Sequence, residues 1–292
     1  MKLFAGLEQI VKTDEPLAPH TWMNLGGPAS YFIEPENTEQ LAEATRRCRE
    51  NGVPIYVLGG GANVLVDDAG VKGAVVHLSR GEFGQFALRQ GGMRAGAGAD
   101  MSKLVLHCVR AGLSGMECLT GIPGSVGGCV KMNAGGAFGD IGSVIDSVDV
   151  MTEGSETYTR CRDDLAFAYR STNISATFVL GAEFRLIEDD PHRILKQVKQ
   201  IWMYKKNTQP LGRRNAGCIF KNPRGLSAGA LIDRGGLKGR RVGGAYVSEK
   251  HANFILADPG AKASDVLKLI NIVREVVYRK SEVYLELEIE VW

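Results

Sequence analysis

The chain has 292 residues, of which 44% are hydrophobic and 23% are charged, and its formal net charge is +2. This length and composition indicate a globular protein with two or three domains. The nearly balanced charge argues against nucleic acid or an acidic membrane surface as a partner. No apolar run approaches the ~20 residues that cross a bilayer, and the first residues lack the apolar core of a signal peptide. We therefore expect a cytoplasmic protein.

The six cysteines form no C-x-x-C pair and show no metal-type spacing. Most have apolar neighbours, as Cys108 has between His107 and Val109. We therefore expect buried, reduced thiols and no metal site.

The first block of the chain alternates strand and helix. Its predicted elements are a strand at residues 31–33, a helix at 38–50, and strands at 54–57 and 71–78. The helix is expected to be capped by Asn37 or Thr38 and to end at Gly52. The third predicted strand leads into a first glycine cluster at residues 58–66, an order typical of a small nucleotide-binding unit.

The second block is predicted to be α+β. It has a Gly/Ala-rich strand from Met93, a helix from about Asp100 to Arg110 that Gly112 is expected to stop, and antiparallel strands at residues 144–151, 157–160 and 177–186. A helix then begins at Asp190-Pro191, and its predicted buried stripe comprises Ile194, Leu195, Val198, Ile201 and Trp202.

The third block begins near Tyr204. Its predicted elements are a loop-strand-loop at residues 215–223, a short helix from Ala230 and a helix that Ser264 caps. Residues 284–292 alternate apolar side chains with glutamates, which predicts a half-buried strand with a carboxylate face. Such a face is usually only solvated.

A second glycine cluster, residues 121–136, holds six glycines in sixteen residues. Glycine permits positive φ and a close approach of the main chain to a ligand, and successive N–H groups in such loops bind anions. Tight turns between buried strands would explain one such cluster equally well. Two clusters flanked by strand-like runs favour a dinucleotide whose pyrophosphate lies between two walls. Neither cluster ends in Gly-Lys-Ser/Thr, and no G-x-G-x-x-G follows the first strand, so another nucleotide-binding architecture is expected.

The order of several short motifs resembles the UDP-N-acetylenolpyruvoylglucosamine reductase family over nearly the whole chain. These motifs lie at residues 24–29, 58–66, 121–136, 169–171, 209–210, 216–223, 237–239 and 285–288. The resemblance implies an α+β fold, with an FAD-binding domain of vanillyl-alcohol-oxidase type in two lobes and a C-terminal α+β substrate-binding domain. We expect the lobes at residues 1–82 and 83–200 and the substrate domain at 201–292. The chain resembles the family's shorter subclass, which lacks an inserted tyrosine-bearing loop.

The resemblance also implies an activity: NADPH-dependent reduction of UDP-N-acetylglucosamine enolpyruvate to UDP-N-acetylmuramate, through bound FAD, for peptidoglycan synthesis. Its catalytic residues correspond to Arg170, Cys218 and Glu288. Arg170 would hold the substrate carboxylate with its rigid fork, and Glu288 would help to polarise the enolpyruvyl group. Cys218 stands where most members carry the serine that donates a proton. A thiol with an ordinary pKa near 8.5 is mostly protonated at neutral pH and can donate without assistance.

The remaining site residues implied by the resemblance bind the cofactor or the substrate. The predicted FAD-binding residues are Gly59, Gly60, Gly61, Ala62, Asn63, Val64, Leu65, Gly121, Pro123, Gly124, Ser125, Gly127, Gly128, Asn133 and Ala134. The predicted substrate-binding residues are Tyr169, Lys206, Asn222 and Lys238. Lys205 adjoins Lys206, and the sequence leaves open which of the two contacts substrate. FAD is expected to be non-covalent, and no obligate protein partner is predicted.

Two other functions stay open at this point. One is a sugar or alcohol oxidase of the same flavin fold that uses oxygen and not NADPH. Such enzymes often hold flavin through a histidine, and none of the five histidines lies in either glycine cluster. The other is a catalytically silent UDP-sugar binder, which would have no need of an arginine, an acid and a glutamate in register.

Overall fold

The computed structural model describes residues 2–292, so Met1 lies outside the described part. The described chain divides into two compact units, each with its own apolar core. The first unit contains the residues up to Glu15, Ser30–Gly60 and Lys72–Tyr204, and the second contains Pro16–Ala29, Gly61–Val71 and Lys205–Trp292. The predicted boundaries at residues 82/83 and 200/201 stay a prediction.

The helices and strands are numbered in chain order. The α-helices within residues 2–292 are α1 (Thr38–Glu50), α2 (Met101–Ala111), α3 (Val126–Lys131), α4 (Pro191–Thr208), α5 (Ala228–Arg234) and α6 (Ala263–Ser281). The strands of the same residues are β1 (Val11–Pro16), β2 (Pro28–Ile33), β3 (Ile55–Leu58), β4 (Val64–Leu65), β5 (Val71–His77), β6 (Phe86–Arg89), β7 (Gly92–Gly96), β8 (Leu113–Ser114), β9 (Gly135–Gly136), β10 (Gly139–Asp140), β11 (Ile145–Met151), β12 (Thr157–Cys161), β13 (Phe167–Ala168), β14 (Ser171–Thr172), β15 (Phe178–Arg185), β16 (Ile187–Glu188), β17 (Arg241–Val242), β18 (Ala245–Val247), β19 (Ile255–Ala257) and β20 (Glu290–Val291).

Two sheets contain the longer strands. One has the order β1-β2-β5-β3, in which β3 and β5 are parallel, and the other is the antiparallel sheet β12-β11-β15-β7-β6. The helix α2 follows the second sheet's first hairpin and begins where the Asp100 side chain accepts from the Lys103 N–H (2.8 Å). It ends at Gly112 in the left-handed conformation, φ 68°, as the sequence predicts. Its Leu104 and Cys108 are buried in the core of the first unit.

In the second unit, α6 packs its apolar face into the core through Val266, Ile270 and Val273, each at most 2% exposed. The sheet β17-β18-β19 and the parallel pair β20-β4 belong to the same unit. Among residues 2–292 no helix combines the length and the apolar character needed to cross a membrane.

The predicted elements of the first two blocks are present, with two corrections. Within the second glycine cluster, expected to be a loop, Val126–Lys131 form the helix α3. Residues 97–99 hold the start of this helix in place. The N–H groups of Val126 and Gly127 donate to the carbonyls of Ala99 and Ala97 (3.0 and 2.7 Å). In α4 the predicted buried stripe is too wide: Trp202 is 45% exposed, since it lies one position beyond Ile201 around the helix.

Three predictions for the third block are wrong, and each involves a partner distant in sequence. No strand is assigned within residues 215–223, where Phe220 forms an isolated bridge with Leu287. Ser264 does not cap α6; the N–H groups of Ala263 and Ser264 donate to the Asp68 carboxylate (2.7 and 3.1 Å), 195 residues away. Residues 284–292 are not one strand, because only Glu290–Val291 are assigned to β20 and Val291 is 40% exposed. The segment changes its pairing partner halfway, as described below.

The cysteines are more exposed than predicted. Cys48, Cys108 and Cys129 are buried, whereas Cys161 is exposed and none of the six, all within the described residues, is in a disulfide. Burial raises the pKa of the Cys48 thiol to about 11. Burial, together with the Glu117 carboxylate, raises that of Cys108 to about 12. These two thiols are therefore protonated and inert.

Candidate active site

The two glycine clusters touch through their backbones within the first unit. A Cβ added to Gly60 would lie 2.7 Å from Gly124 Cα, and one added to Gly59 would lie 2.7 Å from Ser125 Oγ. Gly124 itself has a φ of 121°, a conformation that L side chains rarely adopt. Glycine is therefore required on both sides of this contact, and the three glycines are partly exposed.

Two buried hydroxyl groups bracket the start of the second cluster. Thr120 and Ser125 are 6% and 5% exposed, and neither side-chain oxygen has a hydrogen-bond partner in the described chain. A buried hydroxyl without a partner costs about 1–3 kcal/mol. Phosphate oxygens would accept from both hydroxyls, so the residues present fit the pyrophosphate of FAD.

The other predicted cofactor residues of the second cluster differ in their surroundings. Gly127 serves close packing, because a Cβ there would lie 2.8 Å from Ala97 Cβ. Gly128 is exposed, and Gly121, Pro123 and Ala134 are partly exposed. Gly121, Pro123, Gly128 and Ala134 are therefore accessible for a contact with FAD, whereas the Gly127 Cα is not.

The first cluster continues into the second unit, where it forms one side of a strand pair. Val64 and Leu65 are buried and pair in parallel with Glu290 and Val291. Just before this pair, the Asn63 carbonyl accepts from the Glu290 N–H (2.9 Å) and the Asn63 side-chain amide donates to the Glu288 carbonyl (3.0 Å). Gly61 and Ala62 precede these residues, and a Cβ on Gly61 would meet the His20 carbonyl oxygen at 2.0 Å.

Arg170 lies at the tip of a short hairpin in the first unit, which we call the Arg170 hairpin (β13, Tyr169, Arg170 and β14). Its two-residue loop puts Arg170 at a φ of 55°, in the left-handed region. The Arg170 guanidinium lies 5.2 Å from the centre of the Tyr169 ring, and Tyr169 is 53% exposed. This hairpin presents a cation and an aromatic ring at the surface of its unit.

Asn133, from the second glycine cluster, supports the first strand of this hairpin next to its loop. Its side-chain amide donates to the Ala168 carbonyl (2.9 Å), and its side-chain oxygen accepts from the Gly142 N–H (3.1 Å). The residue is 3% exposed and has a φ of 45°.

Cys218 and Glu288 lie on neighbouring segments of the second unit, which we call the Cys218 ladder (residues 218–221 and 286–288). The Glu288 N–H donates to the Ile219 carbonyl (2.8 Å), and the Lys221 N–H donates to the Glu286 carbonyl (2.9 Å). Phe220 and Leu287 form an antiparallel bridge between these two bonds. The structure thus brings these two predicted catalytic residues into one backbone pairing, and both side chains are partly exposed.

Asn253, which the sequence analysis missed, holds the other edge of the ladder. Its main-chain carbonyl accepts from the Ile219 N–H (2.9 Å). Its side chain accepts from the Phe220 N–H (3.0 Å) and donates to the Phe220 carbonyl (2.8 Å). The residue is 3% exposed. No local sequence signal marks it, because its three bonds are to residues more than 30 positions away.

His251 lies beside this support and is neutral. Burial lowers the pKa of His251, and the Lys238 ammonium lowers it further. Its Nδ1 accepts from the Asn253 N–H (3.2 Å), so the remaining proton is on Nε2. Lys238, a predicted substrate residue, is paired with Asp233 at 2.8 Å.

The other predicted substrate residues of the second unit are near its surface. Asn222 is exposed, and its side-chain oxygen accepts from the Ala228 N–H at the start of α5 (2.9 Å). Lys205 is 6% exposed, whereas Lys206 is exposed and its carbonyl accepts from the Lys250 ammonium.

A groove of about 780 Å³ lies on the first unit, lined by strands of the antiparallel sheet and by residues 82–89. It contains the ion pair between Arg94 and Asp149 (2.6 Å) and none of the predicted site residues. Within the described part of the chain, no group of three His, Cys, Asp or Glu side chains could hold a metal ion.

Two family models match the chain, each over a different range of residues. The model described as an FAD binding domain matches residues 29–162. The model described as the C-terminal domain of UDP-N-acetylenolpyruvoylglucosamine reductase matches residues 209–292.

Proteins named UDP-N-acetylenolpyruvoylglucosamine reductase are similar along nearly the whole chain. That of Syntrophobacter fumaroxidans is 43% identical over 287 residues, which cover 96% of this chain and 83% of the relative. That of Moorella thermoacetica is 40% identical over 292 residues, which cover 100% of this chain and 96% of the relative. The crystal structure of the Thermus caldophilus protein superposes with a TM-score of 0.83 at 40% identity and covers 97% of this chain and 98% of that one.

More distant structures share the fold alone. The glucose dehydrogenase Phl p 4.0202 superposes with a TM-score of 0.51 at 16% identity and covers 65% of this chain and 45% of its own. The predicted α+β fold, an FAD-binding domain of vanillyl-alcohol-oxidase type followed by a C-terminal domain, is confirmed. The chain belongs to the UDP-N-acetylenolpyruvoylglucosamine reductase family.

Proposed function

We propose that the protein reduces UDP-N-acetylglucosamine enolpyruvate to UDP-N-acetylmuramate, with NADPH as the reductant and FAD as the resident cofactor. The observation that carries the proposal is the backbone pairing between the segments that carry Cys218 and Glu288, in which Glu288 bonds to Ile219, the residue next to Cys218. The reduction of an enolpyruvyl ether needs both a proton donor and a group that polarises the substrate. A UDP-sugar binder without catalysis would have no use for that pairing.

FAD would be held non-covalently by the contacting glycine clusters. The partly exposed backbone of Gly59, Gly60 and Gly124 and the hydroxyls of Thr120 and Ser125 would bind its pyrophosphate. Ala62, Asn63, Gly121, Pro123, Gly128 and Ala134 surround these positions in sequence. When bound there, FAD would supply the redox chemistry that carries a hydride from NADPH to the methylene carbon of the substrate.

The protein's own residues would manage the charge and the proton of that step. Hydride addition builds negative charge next to the substrate carboxylate, and the Arg170 fork would stabilise it through two parallel hydrogen bonds. The Cys218 thiol would donate its proton to the carbon beside the carboxylate. Glu288 would help to polarise the enolpyruvyl group, and Tyr169, Lys206, Asn222 and Lys238 would bind the UDP-sugar.

A flavin-dependent sugar oxidase would differ from this enzyme in its electron donor and acceptor. A reaction that uses NADPH and a nucleotide sugar belongs in the cytoplasm, where we propose that the protein acts.

The two half-reactions test the proposal directly. The purified protein should be yellow, its flavin should bleach with NADPH in the absence of oxygen, and UDP-N-acetylglucosamine enolpyruvate should then restore the colour. Denaturation should release the flavin into the supernatant. A reduced flavin that oxygen reoxidises rapidly while the enolpyruvyl substrate does not would point to the oxidase.

A further inference from the structure

Each glycine cluster contributes an asparagine whose side chain bonds to the segment of a catalytic residue and not only to its own loop. In the second cluster, Asn133 donates its amide to the carbonyl of Ala168, two residues before Arg170. In the first cluster, Asn63 donates its amide to the carbonyl of Glu288 itself. The two bonds occur in different units and are 2.9 and 3.0 Å long.

At position 133 the local structure demands an asparagine. The φ of 45° excludes most residues other than glycine, asparagine and aspartate. The same side chain must donate to Ala168 and accept from Gly142 in a site that is 3% exposed. Aspartate could not make the first bond, and glycine could make neither.

At position 63 the asparagine spans a bend. Glu288 and Ile289 form this bend, between the antiparallel pairing with Ile219 and the parallel pairing with β4. The Asn63 side chain bonds to Glu288 and its carbonyl to Glu290, so it binds on both sides of Ile289. The direction in which the Glu288 side chain leaves the backbone depends on this bend.

We propose that Asn63 and Asn133 are positioning residues, each of which ties a catalytic residue to the loop that carries the flavin. Asn63 fixes Glu288 on the first cluster, and Asn133 fixes the Arg170 hairpin on the second. The proposal rests on the proposed function, and it gives these asparagines a role other than direct contact with FAD.

The test uses the FAD-containing full-length enzyme and two kinds of variant at each position. Asn63→Asp and Asn133→Asp keep the size and the acceptor, lose the donor and add a negative charge. Asn63→Ala and Asn133→Gly lose the side chain without adding charge, and glycine tolerates the φ at position 133. Asn37→Asp is the control, because that side chain caps α1 only as an acceptor from the Gln40 N–H (2.9 Å).

All four variants should slow reoxidation of the reduced flavin by the enolpyruvyl substrate by roughly 10–100-fold, the usual cost of a misplaced catalytic group. The substrate concentration for half-maximal rate, the reduction by NADPH and the FAD dissociation constant should be unchanged. In hydrogen exchange, residues 167–172 should lose protection in the Asn133 variants and residues 286–290 in the Asn63 variants. The control should match the native enzyme in every measurement.

Three results would overturn the proposal. Weaker FAD binding with a normal reoxidation rate would make the asparagines cofactor ligands. Neutral variants that behave as native would assign the effect to the added charge. Equal loss in both half-reactions would indicate a purely structural role. If the native enzyme is not reoxidised by the enolpyruvyl substrate, the proposed function fails, and hydrogen exchange still decides whether the asparagines hold the two segments.

Discussion

The Arg170 hairpin in the first unit and the Cys218 ladder in the second carry predicted catalytic residues by opposite means. The hairpin has two residues in each strand, and Tyr169 at its tip is 53% exposed. In the ladder, Ile219 and Phe220 are at most 1% exposed and are bonded on one side to Asn253 and on the other to residues 286–288. One residue is presented by an exposed turn and the other by a packed backbone.

The two regions also differ in which residue has the left-handed conformation. In the ladder it is Gly217, φ 75°, immediately before Cys218, and the Asn215 side chain accepts from its N–H (2.9 Å). In the hairpin it is Arg170 itself, at a cost of about 1–2 kcal/mol relative to glycine. In the ladder, the left-handed residue is Gly217 and the predicted catalytic residue is Cys218. In the hairpin, Arg170 is both. Strain of this kind is typical of functional sites.

The largest effect is expected at the contact of the glycine clusters. Gly60→Ala should abolish FAD binding, because the new Cβ would lie 2.7 Å from Gly124 Cα and force the two loops apart. The measurement is the flavin absorbance of the purified variant. Gly136→Ala is the matched control, since nothing lies within 4 Å of a Cβ there. A native flavin content in Gly60→Ala would move the phosphate site elsewhere.

Next in size is the loss of the proton donor from the ladder. Cys218→Ala should leave reduction by NADPH intact and slow reoxidation by the enolpyruvyl substrate about 10²–10⁴-fold. Cys218→Ser should recover much of the rate, because a hydroxyl would occupy the same rigid backbone position. Stopped-flow absorbance separates the two half-reactions. A native rate in Cys218→Ala would mean that the proton comes from another group and that Cys218 only fills space.

Much of this structure could be predicted from local sequence signals. Asn37 caps α1 and Gly112 ends α2, because capping bonds and left-handed termini depend on residues close in sequence. Elements that depend on distant partners were missed. The glycine-rich α3 has poor helix propensity and is held by the carbonyls of Ala97 and Ala99, and the start of α6 is held by Asp68.

The candidate site divides in the same way. The resemblance to a family supplied Arg170, Cys218 and Glu288, and no periodicity or spacing would have found them. The support of these residues could not be predicted, because Asn253 and Asn63 act through backbone atoms 33 and 225 positions away. Hydrogen bonds from a side chain to a remote backbone leave no pattern in a single sequence.

A third prediction concerns the rigidity of the ladder. Asn253→Ala should lower the free energy of unfolding by about 2–4 kcal/mol, since it leaves the buried N–H and carbonyl of Phe220 without partners. Asn253→Asp should lose less, because it keeps the acceptor for the Phe220 N–H. Urea unfolding followed by circular dichroism measures both. Asn207→Ala is the control, because Asn207 is exposed. If Asn253→Ala lowers the free energy of unfolding no more than this control does, the ladder does not depend on Asn253.

The smallest effect is expected at the tip of the Arg170 hairpin, where it separates stability from function. Usually a change from glycine to alanine stabilises a chain by restricting the unfolded state. At position 170 the φ of 55° favours glycine over alanine. Arg170→Gly should therefore be more stable than Arg170→Ala by about 1 kcal/mol. Arg170→Lys keeps both the charge and the strained backbone and should match Arg170→Ala in stability to within the small contribution of the contact with Tyr169. Urea unfolding of the three variants gives these differences.

The same three variants should rank differently in catalysis, because the rate depends on the guanidinium and not on the backbone. All three should reduce their flavin with NADPH at nearly the native rate and should be reoxidised slowly by the enolpyruvyl substrate. Arg170→Lys should be the least impaired, since a point charge replaces the bidentate fork only in part. If Arg170→Gly is more stable than Arg170→Ala and is inactive, the left-handed backbone at this position is strained and the guanidinium is needed for the rate. A glycine variant less stable than the alanine variant would mean that the left-handed turn at Arg170 is not strained, and the contrast with Gly217 in the ladder would fall with it.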